Sequence, residues 1–122
     1  VLGLGSNVGN NSPSATFDYQ YNDWGTDNRG FNITDQGGDA IDNSTLTVTV
    51  GSDTIYNDSS TNPPDNTEVT GWSNSQVTAG DTLSAWETGT GDHVFGNNED
   101  VQIVWKSSGG SSSIISSSTT PQ

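Results

Sequence analysis

Leu46-Thr47-Val48-Thr49-Val50 switches between apolar and polar side chains at every step, and this period of two is the strongest constraint on what the chain can become. Successive side chains of an extended strand point to opposite faces, so such a run buries one face and wets the other. Phe17, Tyr19 and Tyr21 alternate with Asp18, Gln20 and Asn22 in the same way, and Val101, Ile103 and Trp105 alternate with Gln102, Val104 and Lys106. No window carries apolar residues at the spacing of an amphipathic helix. The β-branched residues that fill these runs fit a pleated, half-buried surface.

Punctuation between the runs is dense. Asp23 to Gly30 reads as a turn region, followed by a short strand in which Phe31 and Ile33 flank Asn32. Asp35 to Asp39 reads as a further turn, with Ile41 tucked into the core beyond it. Gly51-Ser52-Asp53 is a hairpin turn into Thr54-Ile55-Tyr56. The polar stretch Asn57 to Asn66 reads as a long loop, because Pro63-Pro64 cannot continue a sheet ladder. Weaker strands follow around Val69 to Trp72 and Val77. Leu83 and Ala85 alternate ahead of Trp86, and Val94-Phe95 opens another pairing. A final edge strand is expected over Ser113 to Ser116. The expected fold is all-β: a single immunoglobulin-like sandwich or barrel of about seven or eight short antiparallel strands over residues 15–116. Residues 1–14 form an apolar end plus linker, and residues 117–122 a frayed polar tail.

Composition sharpens this reading. Hydrophobic residues are 27% of the 122, against roughly 45–50% in an ordinary soluble domain. The core must be thin. Fifteen carboxylates face two basic residues, Arg29 and Lys106, for a formal net charge of −13. That balance excludes nucleic acid as a partner, since nothing is present to neutralise phosphates. In dilute buffer the compact state repels itself, and at about 1 M salt the screening length falls to about 3 Å. The composition is therefore that of a salt-adapted, soluble chain with diffusely associated cations. No cysteine is present, so there is no disulfide framework. No methionine is present either, and a chain starting at Val1 reads as a processed or truncated product.

Chemistry finds few footholds. His93 is the single histidine, and no serine stands in a nucleophile-elbow motif, so the chain is expected not to be an enzyme. Asp35, Asp39 and Asp42, and Asn97 to Asp100, offer oxygen ligands in loops, but neither cluster has the spacing of a calcium loop. No cofactor or specific metal is expected. Of the tryptophans, Trp105 is in phase with Val101 and Ile103, Trp86 follows a strand and packs inside, and Trp24 in its Asp/Gly-rich loop is the candidate for an exposed sugar platform. Trp72 carries no further signal. Four sequons, at Asn10, Asn32, Asn43 and Asn57, fit N-x-[ST] and are candidate glycan acceptors in an exported chain.

Several weak motifs, in order, resemble haloarchaeal type IV pilins. Val1-Leu2-Gly3-Leu4-Gly5-Ser6 looks like the end of their N-terminal hydrophobic helix, and a polar linker and the strand Ser14-Ala15-Thr16-Phe17-Asp18-Tyr19 follow. Leu46-Thr47-Val48-Thr49-Val50-Gly51 resembles their central strand and turn. Val77 to Thr82, Val101 to Ser107 and Gly109 to Ser113 resemble their C-terminal half. The resemblance implies a subunit whose N-terminal helix packs into a helical homopolymer, here through Val1, Leu2 and Leu4. Its β-domain would lie outside and mediate adhesion to surfaces or other cells, often with N-linked glycans. It implies an extracellular, cell-surface location. Only a residual helix end is present, which departs from the family pattern. The archaellins, subunits of a swimming filament, share the same plan, and a secreted carbohydrate-binding or surface-protein module is the alternative from another class.

The charge makes a direct prediction. Circular dichroism is expected to show strand structure in molar salt and substantial loss of it in dilute buffer; spectra unchanged down to millimolar salt would refute salt adaptation.

Overall fold

A computed structural model describes residues 12–24, 28–89 and 93–122. Val1, Leu2, Leu4 and Asn10, and with them the expected helix end, lie outside the described residues. The regular structure of the rest is almost all antiparallel strand: β1 (Ala15–Asn22), β2 (Gly30–Gly38), β3 (Ile41–Asp42), β4 (Leu46–Val50), β5 (Asp53–Asn57), β6 (Ser60–Thr61), β7 (Thr67–Thr70), β8 (Gln76–Val77), β9 (Thr82–Glu87), β10 (Asp100–Lys106) and β11 (Ser112–Thr119). One sheet has the order β1-β2-β9-β7, a second β11-β10-β4-β5-β6, and β3 pairs with β8 in a small ribbon.

The alternation explains how the sheets stack. On the first sheet, the inward rows are Tyr21–Phe31–Ala85–Val69 and Tyr19–Ile33–Leu83, each aligned across strands by register. On the second, Val50 pairs with Val101, Val48 with Ile103 and Leu46 with Trp105. Both sets belong to one apolar cluster, so the sheets face each other as a sandwich. Two edges of the sandwich are also stitched by hydroxyls. Tyr21 Oη donates to Ser118 Oγ at 2.8 Å, and Tyr19 Oη shares a 2.6 Å bond with Ser116 Oγ, joining β1 to β11. Burial pushes the Tyr19 phenol up to about 12, the Ser116 bond notwithstanding, so it stays neutral.

Four expectations change. Asp35 to Gly38 is not a turn but the end of β2, carried past a register shift between Thr16 and Phe17. Gly38, at φ +110, is the residue that permits this close pairing, because a Cβ there would lie 2.3 Å from the Ser14 carbonyl oxygen. The loop after Asn57 contains β6. Asp58 and Ser59 both take positive φ, 52° and 64°, and form the two-residue turn that returns Ser60 onto Asn57. Val94 and Phe95 form no strand, although Phe95 is buried. Residues 117–122 are not frayed: β11 runs to Thr119 along β10, and Thr120 is buried. Its Oγ1 donates to the Gly96 carbonyl and accepts from the Glu99 N–H, both at 2.8 Å. Backbone pairing and hydroxyls hold this tail, which the apolar pattern does not register.

Bulges account for the remaining irregularity. Between Val48 and Thr49 the β4–β5 register slips by one, so Ile55 and Tyr56 are both buried although adjacent. A second slip, between Ile103 and Val104, lets Ile115 pack against the core while Ile114 stays 57% exposed. Replacing fully buried Ile103 by Ala is expected to cost about 2–5 kcal/mol, and Ile114→Ala no more than about 0.5 kcal/mol. Denaturant titrations in molar salt measure both, and equal losses would contradict the assigned faces.

Candidate functional site

The sequons separate on structural grounds. Asn32 lies on β2 and points away from the core; its Oδ1 accepts from Ser84 Oγ at 2.7 Å on the neighbouring strand. Asn57 closes β5 at the surface and accepts from Thr47 Oγ1 through Oδ1. Asn43 is different. It is 5% exposed, in the 3-10 turn Asn43–Thr45 that Asp42 caps. Its Nδ2, the atom that would carry a glycan, donates to the carbonyls of Trp72 at 2.8 Å and Asn74 at 3.2 Å, and its Oδ1 accepts from Tyr56 Oη. A buried amide must be paired, and this one ties the 3-10 turn to the segment before β8. A glycan on Nδ2 would have to replace one of these two hydrogen bonds, so the fold disfavours Asn43 as an acceptor.

The aromatic rings also redistribute. Trp24 is half-buried: it packs edge-on against Tyr21 at 5.4 Å, and the Arg29 guanidinium lies 5.3 Å from its ring centre. It is a cation–π partner, not an open platform. Trp72 is buried against Tyr56 and Phe17. A cleft of about 490 Å³ opens above Trp72 and Tyr56, between Asn43, Gly71 and Ser73 to Ser75. Both rings are nearly inaccessible there, so the cleft has a sealed apolar floor. Trp105 packs partly against the core. Trp86 lies within β9, not after it, and points outward with 36% of its surface exposed. Counting the phase of Leu83 and Ala85 one residue further places it outside.

The same count puts Glu87 inside, and there it forms the most concentrated polar site in the described residues. Glu87 is 5% exposed. Its Oε1 accepts from the Arg29 backbone N–H at 2.9 Å and from His93 Nδ1 at 2.8 Å. Its Oε2 accepts from the N–H groups of Val94 at 2.8 Å and Phe95 at 3.0 Å. Burial works against the charged carboxylate, but the bonds from Arg29, Phe95, His93 and Val94 outweigh it and hold the group below the usual carboxylate range. The Arg29 side chain turns instead to the Phe95 carbonyl, to which Nη1 donates at 2.7 Å. The carboxylate thus replaces strand pairing for the segment 93–95 and holds Phe95 against Phe31, ring centres 5.3 Å apart. With both oxygens committed, its role is to fasten a loop. His93 belongs to this loop.

The acidic runs do not converge. Asp39 accepts from the Ser14 N–H, Asp42 caps its turn, and Glu99 accepts from the Gly96 N–H. Among the described residues no three acidic or imidazole groups come together as a metal ion requires. Asp35 is 1% exposed; Oδ1 accepts from the Gly37 N–H, while Oδ2 is buried without a partner. Burial pushes this carboxyl up, the Gly37 bond draws it back, and Asp81 adds to the rise. Among the described residues, no helix is long and apolar enough to cross a membrane. The chain matches no family model and no curated protein.

Glu87→Gln is expected to lower the unfolding free energy by about 2 kcal/mol near neutral pH, because several buried donors lose a charged acceptor. The folded-state pKa lies below the ordinary value of 4.5, so the contribution is present above that value and is lost as the pH falls through the folded one. Variant and parent should converge in acid, as read by urea titrations in molar salt. A gap that persists at low pH would count against the carboxylate. Asp35 acts in the opposite sense: its penalty appears as the pH rises past 3.8.

Proposed function

We propose that this chain is the outer β-domain of an extracellular, pilus-like filament subunit adapted to high salt. The observation that carries the reading is the point at which the chain enters the sandwich. β1 is an edge strand, so the described chain enters the domain at a sheet margin. An apolar helix placed there would stand clear of the β-body and pack with copies of itself, and repeated heterologous contacts of that kind build open helical polymers. The pilin resemblance supplies the same order of parts.

The surface supports the setting. Of the two basic residues Arg29 is buried, which leaves Lys106 as the exposed cation. Against it stand exposed Asp18, Asp23, Asp39, Asp42, Asp53, Asp58, Asp65, Glu68 and Asp100. Such a surface repels nucleic acid and anionic membranes and tolerates close neighbours when salt screens it. On this reading the chain is structural, not an enzyme, its partners are its own copies and the surfaces the filament meets, and exposed Asn57 is the described sequon most open to a glycan. A motility filament is the nearest variant; loss of swimming in a deletion strain would favour it.

Immunogold labelling of native cells with antibody to this domain tests the proposal. Gold decorating the length of thin filaments is the expected result. Gold confined to the cell wall, or to dispersed particles in the medium, would overturn it.

A further inference from the structure

We propose that the outer face of the β1-β2-β9-β7 sheet binds a neutral saccharide, with the indole of Trp86 as its stacking surface. This goes beyond the filament reading and does not rest on it, since an isolated domain carries the same face.

Register fixes what stands beside Trp86. Across the sheet it lies in the row Asn22–Gly30–Trp86–Glu68. The next outward row is Gln20–Asn32–Ser84–Thr70, and beyond it Asp18, Thr34 and Thr82 follow. Every other member of these rows is polar or glycine, so the ring is an isolated apolar surface in a field of amides, hydroxyls and carboxylates. Gly30 separates the ring from Asn22. Gly30 is itself buried and places no side chain between the indole and the Asn22 amide. That position is tightly packed: a Cβ on Gly30 would lie 3.0 Å from Trp86 Cβ and 3.2 Å from the Ala85 carbonyl oxygen. The next two rows are held in place, since Ser84 Oγ donates to Asn32 Oδ1 at 2.7 Å in the nearer one, and Thr34 and Thr82 share a 2.9 Å bond between their hydroxyls in the farther one.

The chemistry selects the ligand. One face of a pyranose ring presents C–H groups that rest on an aromatic surface, while its rim presents hydroxyls that both donate and accept. Amides at Asn22 and Gln20 offer donors and acceptors at the rim, and the Glu68 carboxylate accepts from a pair of neighbouring hydroxyls. A single ring is too small an apolar patch to dock a protein. Acidic sugars and nucleotides are excluded by Asp18, Glu68 and the absence of any cation in the three rows.

Tryptophan fluorescence titration in molar salt tests this, with glucose, mannose, galactose, N-acetylglucosamine and short oligomers of each as probes. A saturable change with at least one of them is expected. Trp86→Ala should weaken that binding about tenfold or more, as seen by calorimetry, with the denaturation midpoint little changed. The double variant Gln20→Ala/Glu68→Gln, which leaves every aromatic ring in place, should weaken it several-fold. No saturable response to any probe, or affinity retained in both variants, would overturn the proposal.

Discussion

The shared burial of two inward-facing rows in one apolar cluster, Ile33 and Leu83 on one sheet and Val48 and Ile103 on the other, is what the rest of the molecule depends on. The buried apolar cluster contains fifteen residues, and no second cluster is available among the described residues to share the load. A core this thin leaves much of the order to directional bonds. The hydroxyl bonds between β1 and β11 close one side of the sandwich. The Asn43 amide binds a turn to a distant backbone, and the Glu87 carboxylate gathers a loop that has no strand to pair with. Each depends on the two sheets already lying face to face. Each then supplies specificity that aliphatic packing in so small a core does not.

How much of this was legible depended on whether burial was expressed through apolar alternation. β1, β4 and β10 stood out because one face of each is core. The all-β sandwich followed from them. The pattern failed where something other than apolar side chains holds the backbone. β6 exists because Asp58 and Ser59 accept positive φ, and the end of β11 exists because β10 offers it a ladder. Ile55-Tyr56 and Ile114-Ile115 break the phase through bulges, and a bulge leaves no simple mark in hydrophobicity. Asn43 and Glu87 are polar residues in buried places, so residue type alone assigned them to the surface. The phase of Leu83 and Ala85 would have corrected Glu87 and Trp86 together. No comparable signal pointed to Asn43, because the 3-10 turn interrupts the alternation there.

Charge and fold divide the labour. The carboxylates that matter to the architecture are the buried ones: Glu87 is stabilised in its charged form by donors, and Asp35 is kept with one oxygen unmatched. The exposed carboxylates are spread over both sheets and the loops between them, with Lys106 as the exposed counter-charge. Their common effect is a field that weakens as ions accumulate around it. The fold therefore answers to its solvent through the surface, while the buried carboxylates answer to proton concentration.

The seam between β1 and β11 has a further consequence for polarity. Ser12 bonds to Ser113, Tyr19 to Ser116 and Tyr21 to Ser118, so the first and last strands run side by side in the same direction. The body thus has two poles: the chain comes in at one and Thr120 sits at the other. Asn22, Gly30 and Trp86 share that far pole. Whatever holds the domain at its point of entry would carry the indole near the opposite end, on the flank of the body and open to the medium.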